Sequence, residues 1–477
     1  MIDKRISRSL RALPVVEGPV PVTADSYPFC AMDHSLHPLD VSRYGYLEEE
    51  YFVSGYANVY EPDGEDRPRI AREGLPYKTR LLVRRPADPT RFSGRVYFDI
   101  LNATQNYDIE DLWHRIYRWC MENGHGYIGI TSKPVNAQSL KNFDYARYAG
   151  LNWGSGEPVL QPAPFTGGSI PGTEEGLIWD MLGQVGSWLR AQSGFFGSGP
   201  MTYLCLTGQS QSGAYLNTFI HYFDPILSGE GQPLFDGYLN IVGAAIERGL
   251  RQTGRGMYAD LTSRAAFRSR IPFMLISSEG DLTLFRGMGT GPLPEDRDEP
   301  GDRCRYYEVA GSPHTDLACP VRPAVAEIER AGRVFSPPSG EVLRTLNTFP
   351  LDCYVDGFLE QLYRWHTTGV APACAPRIRR DAEGGLVRDE HGNAVGGFRT
   401  PYLDLPAGRY DGCDPNEQVS GTLIRFAPER LRALWGSKPQ YLARFAAAID
   451  AQIADGWLCP ADRDRMLRAE ADACPDF

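Results

Sequence analysis

The stretch 204-LCLTGQSQSGAY-215 sets an apolar run against two glycines and two serines, and a helix-like pattern follows it. Tyr203, Leu204, Cys205 and Leu206 read as a short buried strand, and Leu216, Phe219, Ile220 and Phe223 recur at helical spacing. A strand, a Gly-bounded turn and a helix form the context in which a sharp turn lifts a serine hydroxyl above a sheet. Ser210 has Gly208 two residues before it and is the candidate nucleophile. Ser212 is the rival. It has Ser210 two residues before it and Ala214 two after, so it better fits a small-residue position that lets helix and strand approach.

A serine hydroxyl attacks poorly until a general base takes its proton, and that base needs a third group to orient it. One chain order for such triads is Ser, acid, His. Downstream, 273-FMLISSEGDL-282 places Glu279 and Asp281 just past an apolar strand, and 306-YYEVAGSPHTDL-317 places His314 past the next. Ligand sites of open parallel sheets lie at such strand ends. Asp281 is the preferred acid, because it stands beyond Gly280 on the turn and has the shorter side chain. Glu279 is left as at most a supporting carboxylate. The other seven histidines have no such context and read as structural. A developing oxyanion needs waiting backbone donors. The N–H of Gln211 is the first, and the loop 102-NATQN-106 supplies the second, with Ala103 preferred and Asn102 next.

Around these motifs the chain alternates. Residues 48-EEEYFVSGYANVY-60 and 77-YKTRLLVRRP-86 predict antiparallel strands, and 94-GRVYFDIL-101 a buried one. A helix over Glu110–Asn123, the strand GYIGIT and a helix capped by Thr173 follow, an alternation that implies a mostly parallel sheet flanked by helices. Residues 132–172 interrupt it with Gly, Pro and aromatic residues, a candidate insertion or lid over the active site. Its Phe143, Tyr145, Tyr148, Trp153 and Phe165 could wall a substrate site, with Tyr148 and Trp153 foremost. A core over 1–350 and a C-terminal part over 351–477, with a polar hairpin turning at HGN and a helix from Ser437, complete the expected organisation.

Composition narrows the function classes. Hydrophobic residues at 42% and charged residues at 23% are ordinary for a globular chain and argue against disorder. A net charge of −11 with no basic block opposes nucleic-acid and anionic-membrane partners. No apolar run reaches membrane-span length, and the first twenty residues lack a signal-peptide core, so a cytoplasmic location is expected. Ten scattered cysteines form no C-x-x-C pair, and neither a metal nor an organic cofactor is expected.

Several segments, among them EYFVSGYANVYEP, EEGLIWDMLGQVG, TGQSQSGAYLNTF, YYEVAGSPHTD and RDEHGNAVGGFRTPY, resemble a little-characterised branch of the α/β-hydrolase superfamily. The resemblance runs from the N-terminal strands to the C-terminal hairpin. It implies the α/β-hydrolase fold and a serine esterase activity at Ser210, Asp281 and His314. Ser212 departs from the superfamily's usual G-x-S-x-G, where a glycine stands. The leading expectation is hydrolysis of a small-molecule carboxylic ester, or a lactone, through an acyl-enzyme. Acyl transfer by the same triad is the alternative, and a non-catalytic binding protein on the same fold is third.

Overall fold

The computed structural model describes residues 3–477 apart from 155–169, 171, 193, 230–232, 252–260, 264–267, 287–293, 316–318, 335–339 and 414–418. The described chain forms two interleaved compact units. The first comprises residues Met1–Phe273, Gly291–Cys304 and Pro320–Ser336.

In the first unit β1 (Val15–Glu17), β2 (Tyr46–Pro62) and β3 (Pro68–Pro86) pair antiparallel, with Tyr51 opposite Leu81. The alternating segments expected to be strands are therefore one long hairpin. β4 (Arg95–Ile100) and β5 (Gly126–Ile130) follow, and β3 pairs antiparallel with β5. β6 (Asn152–Trp153) is a short addition to β3. From β5 the pairing becomes parallel, through β4 and β7 (Tyr203–Gln209) to β8 (Gly237–Ile241). β5, β7 and β8 are buried throughout, as strands covered on both faces must be. β9 (Ile246–Arg248) and β10 (Leu261–Ser263) make a separate antiparallel pair.

The helix Asp111–Glu122 links β4 to β5 and buries Leu112, Ile116 and Cys120 at the expected spacing. The helix before β7 starts later than its sequence suggests. A 3₁₀ turn over Glu175–Leu177 leads into Ile178–Ala191, and Glu174, not Thr173, caps the turn by accepting from the Gly176 N–H at 3.2 Å. Thr173 donates its hydroxyl to Ile170 O instead.

The second unit comprises Met274–Thr290, Arg305–Cys319 and Pro337–Phe477. β11 (Phe273–Ser278) lies beside β13 (Asp302–Val309); the first residues of β13 pair antiparallel with β12 (Arg297–Glu299), and both fall in the first unit. A helix over Leu351–Thr368 buries Tyr354, Phe358, Leu362 and Trp365, and the helix Lys438–Ala454 buries Tyr441, Phe445 and Ile449. The polar hairpin is present as the bridge Arg388↔Ala394, its turn tied by Asp389, which accepts from the N–H groups of His391 and Asn393. β14 (Gly408–Asp411) and β15 (Thr422–Arg425) pair antiparallel. Among the described residues no helix is long and apolar enough to cross a membrane.

Candidate active site

Ser210 occupies the turn between β7 and the helix Gln211–Tyr222. Its backbone has φ 53° and ψ −121°, a conformation that a residue with a Cβ adopts only under constraint. The constraint is visible. The Ser210 N–H donates to Ile241 O on the neighbouring β8 at 2.9 Å, and Ser210 O accepts from Gly213 N at 2.9 Å. A Cβ on Gly208 would lie 2.3 Å from Ser212 O, so the strand and the returning helix come too close for any side chain there.

Ser212 is fully buried, as its small-residue reading expects. Its hydroxyl donates to Leu101 O at 3.1 Å and accepts from Lys133 Nζ at 2.9 Å. Lys133 also donates to Leu101 O at 2.9 Å and to Ser132 Oγ at 2.7 Å, and its ammonium lies 4.4 Å from the centre of the Tyr215 ring. Burial pushes the Lys133 amine down to about 7. This lysine ties the end of β4, where the 102–106 loop departs, to the helix that follows Ser210. Sequence reasoning misses it, because a lone lysine at the start of an insertion has no periodic or motif signal.

Of the expected oxyanion donors, the Ala103 N–H donates to the side-chain oxygen of Gln211, Oε1, at 3.1 Å. Asn102 behaves otherwise. Its N–H is engaged by Ile109 O at 3.0 Å, closing the loop, and its Nδ2 donates to Gln209 O at 3.1 Å. Its side-chain oxygen receives the N–H and hydroxyl of Thr104, each at 2.6 Å. Asn102 thus braces the loop, and its backbone is not available as a donor.

In the second unit Asp281 opens a short helix directly after β11. Its Oδ1 lies 2.5 Å from His314 Nδ1, and its Oδ2 accepts from the Ser278 N–H at 2.7 Å. Both residues are buried, and the Phe285 ring packs edge-on to His314 at 5.7 Å. Glu279, in the same loop, is turned to other partners. It receives Arg388 Nη1 at 2.6 Å and the N–H groups of Gly311 and Gly412 at 2.7 and 3.2 Å. Of the two carboxylates, only Asp281 is paired with the histidine.

Tyr148 and Trp153 are both fully buried. Tyr148 donates to Glu50 Oε1 at 2.6 Å and accepts from Phe29 N at 3.2 Å, within an ion cluster of Glu50, Arg80 and Arg147. Trp153 is held by strand pairing opposite Tyr77. Tyr148 and Trp153, the expected substrate-site aromatics, are thus held by an ion cluster and by strand pairing. Phe143 is also buried, Tyr145 is exposed, and Phe165 lies outside the described residues. Among the remaining histidines, burial pushes His114 and His125 down to about 3.

A family model described as "Alpha/beta hydrolase domain" matches residues 16–468. No curated protein matches. Similar solved structures include esterase Est22, 15% identical over 60% of this chain and 79% of that one, with a TM-score of 0.30. Another is XC6422 from Xanthomonas campestris, described as an a/b serine hydrolase without lid, 13% identical over 54% and 84%, with a TM-score of 0.24. A third is esterase B from Lactobacillus rhamnosis, 12% identical over 54% and 75%, with a TM-score of 0.25.

Proposed function

The chain belongs to the alpha/beta hydrolase family, and we propose that it is a serine hydrolase of small carboxylic esters that works through an acyl-enzyme on Ser210. The backbone of Ser210 carries this reading. Ser210 is one of five described non-glycine residues at positive φ, and the one that stands with ψ −121° between a buried strand and a helix; such strain concentrates at functional sites. The Asp281–His314 pair supplies what a serine nucleophile needs next.

In the proposed reaction Ser210 Oγ attacks the acyl carbon while His314 takes its proton. Nδ1 is committed to Asp281, so Nε2 does this work and Asp281 stabilises the imidazolium. The carbonyl oxygen becomes an oxyanion, received by the N–H groups of Gln211 and Ala103. Gln211 Oε1 holds the Ala103 N–H, so an arriving carbonyl takes over a donor already aimed at an oxygen. Collapse breaks the C–O bond, and His314 returns the proton to the leaving alcohol. Water then repeats the sequence and releases the acid.

The test is fluorophosphonate labelling of the folded protein with peptide mass spectrometry. Modification at Ser210, abolished in His314→Ala, is the expected result. Labelling at another serine, or none, would refute the assignment. Product analysis with added alcohols distinguishes hydrolysis from acyl transfer.

A further inference from the structure

We infer that Glu279, held by Arg388 of the C-terminal hairpin, is a positioning residue for the Asp281–His314 pair. The inference rests on the catalytic reading above and deepens it. Glu279 is fully buried and stands two residues before Asp281. One of its carboxylate oxygens accepts from the N–H of Gly311, three residues before His314, at 2.7 Å. The other accepts from Arg388 Nη1 at 2.6 Å and Gly412 N at 3.2 Å. A single side chain therefore joins the acid's loop, the histidine's loop and two points of the C-terminal part.

The backbone repeats the connection. Glu279 N donates to Val309 O at 3.1 Å, and Gly280 N to Ser312 O at 3.2 Å. Arg388 reaches on to Asp411 Oδ1 at 3.1 Å, and Asn347 Nδ2 bridges Gly311 O and Asp411 O at 2.9 and 3.0 Å. Gly412 fills the gap between the two loops so closely that a Cβ there would lie 2.5 Å from both Gly280 N and Ser312 O. The 2.5 Å contact between Asp281 and His314 needs both loops in register. Misplacement by about 1 Å costs on the order of 10² in rate. Charge-assisted bonds to backbone N–H groups are the strong kind that hold such a register.

The experiment uses the full chain and a short p-nitrophenyl ester, reading kcat, KM, melting temperature and the fluorophosphonate labelling rate. Arg388→Met should lower kcat by about 10- to 100-fold, with KM changed less than about twofold and labelling slowed in parallel. Arg388→Lys, which keeps the charge, should recover part of the loss. Arg465→Met is the control. It removes ion pairs with Asp352 and Asp462 within the same unit, neither of them in the two loops. It should lower the melting temperature and leave kcat within about twofold. Should Arg388→Met fail to fold, Glu279→Gln, equal in volume, is expected to lose about tenfold in kcat. Near-normal kcat in a folded Arg388→Met or Glu279→Gln protein overturns the inference, as does an equal loss in Arg465→Met. Near-normal kcat in Ser210→Ala or His314→Ala overturns the catalytic reading itself, and the inference with it.

Discussion

The turn at Ser210 and the pair Asp281–His314 are built by opposite means. The turn is built within six residues, from Gly208, Ser210, Ser212 and Gly213, and is braced from outside by Ile241, Leu101 and Lys133. The pair joins residues 33 apart in sequence and is framed by Glu279, Asn347, Arg388, Asp411 and Gly412. A locally built turn tolerates distant substitution, because few remote contacts set its dihedrals. A pair framed from remote sequence is exposed to changes that touch neither of its members.

Substitutions at the two places put that contrast to the test. Ser210→Ala should reduce kcat by about 10⁴ to 10⁶ with KM little changed, measured on one ester by steady-state kinetics. Asp281→Asn should cost about 10³ to 10⁴ in kcat, since the histidine loses its orienting charge. If Asp281→Asn were milder than Arg388→Met, the frame would matter more than the acid it holds, and the contrast would need redrawing.

Lys133→Met tests the brace beneath the turn, with an expected kcat loss of about tenfold or less. Its clearer signature is in stability. The folded protein releases the Lys133 proton near pH 7, whereas an unfolded lysine keeps it to about 10.4. Between those values the unfolded state binds more protons, so wild-type stability gains with rising pH, a gain that Lys133→Met lacks. The melting temperature of wild type relative to the variant should therefore climb from pH 6.5 through about 9. A flat difference would mean that the amine is not desolvated. Ser212→Ala should be smallest, keeping kcat within about threefold, because the hydroxyl braces Leu101 O and does not attack. Swapped phenotypes at Ser210 and Ser212 would reverse the reading of GQSQSG.

The same contrast explains what the sequence disclosed. Periodicity marks β2, β3, β4, β5 and β7 because each needs one or two apolar faces, and those faces are written in neighbouring residues. The Ser210 turn is legible for the same reason. Place on the turn favours Asp281 over Glu279 as the acid, but the role of Glu279 is set by Gly311, Arg388 and Gly412, 32 to 133 residues away. The partner of the Tyr148 hydroxyl, Glu50, lies 98 residues away and has no signal near it in sequence. The Asn102 N–H looks available until Ile109 closes the loop on it. Lys133 is the extreme case: a buried amine whose three acceptors come from three separate stretches.

The interleaving of the two units also sets an order in time. A ribosome adds residues at about 5–20 per second, and Arg388 follows His314 by roughly 70 residues, so the frame emerges some 4 to 15 seconds after the histidine. During that interval the nascent chain has the residues of the serine turn, while the loops of Asp281 and His314 still lack Arg388, Asp411 and Gly412. A growing chain of this kind holds Asp281 and His314 before it holds what frames them. Translation arrested before Arg388 yields a polypeptide with the serine turn complete and the loops of Asp281 and His314 unframed.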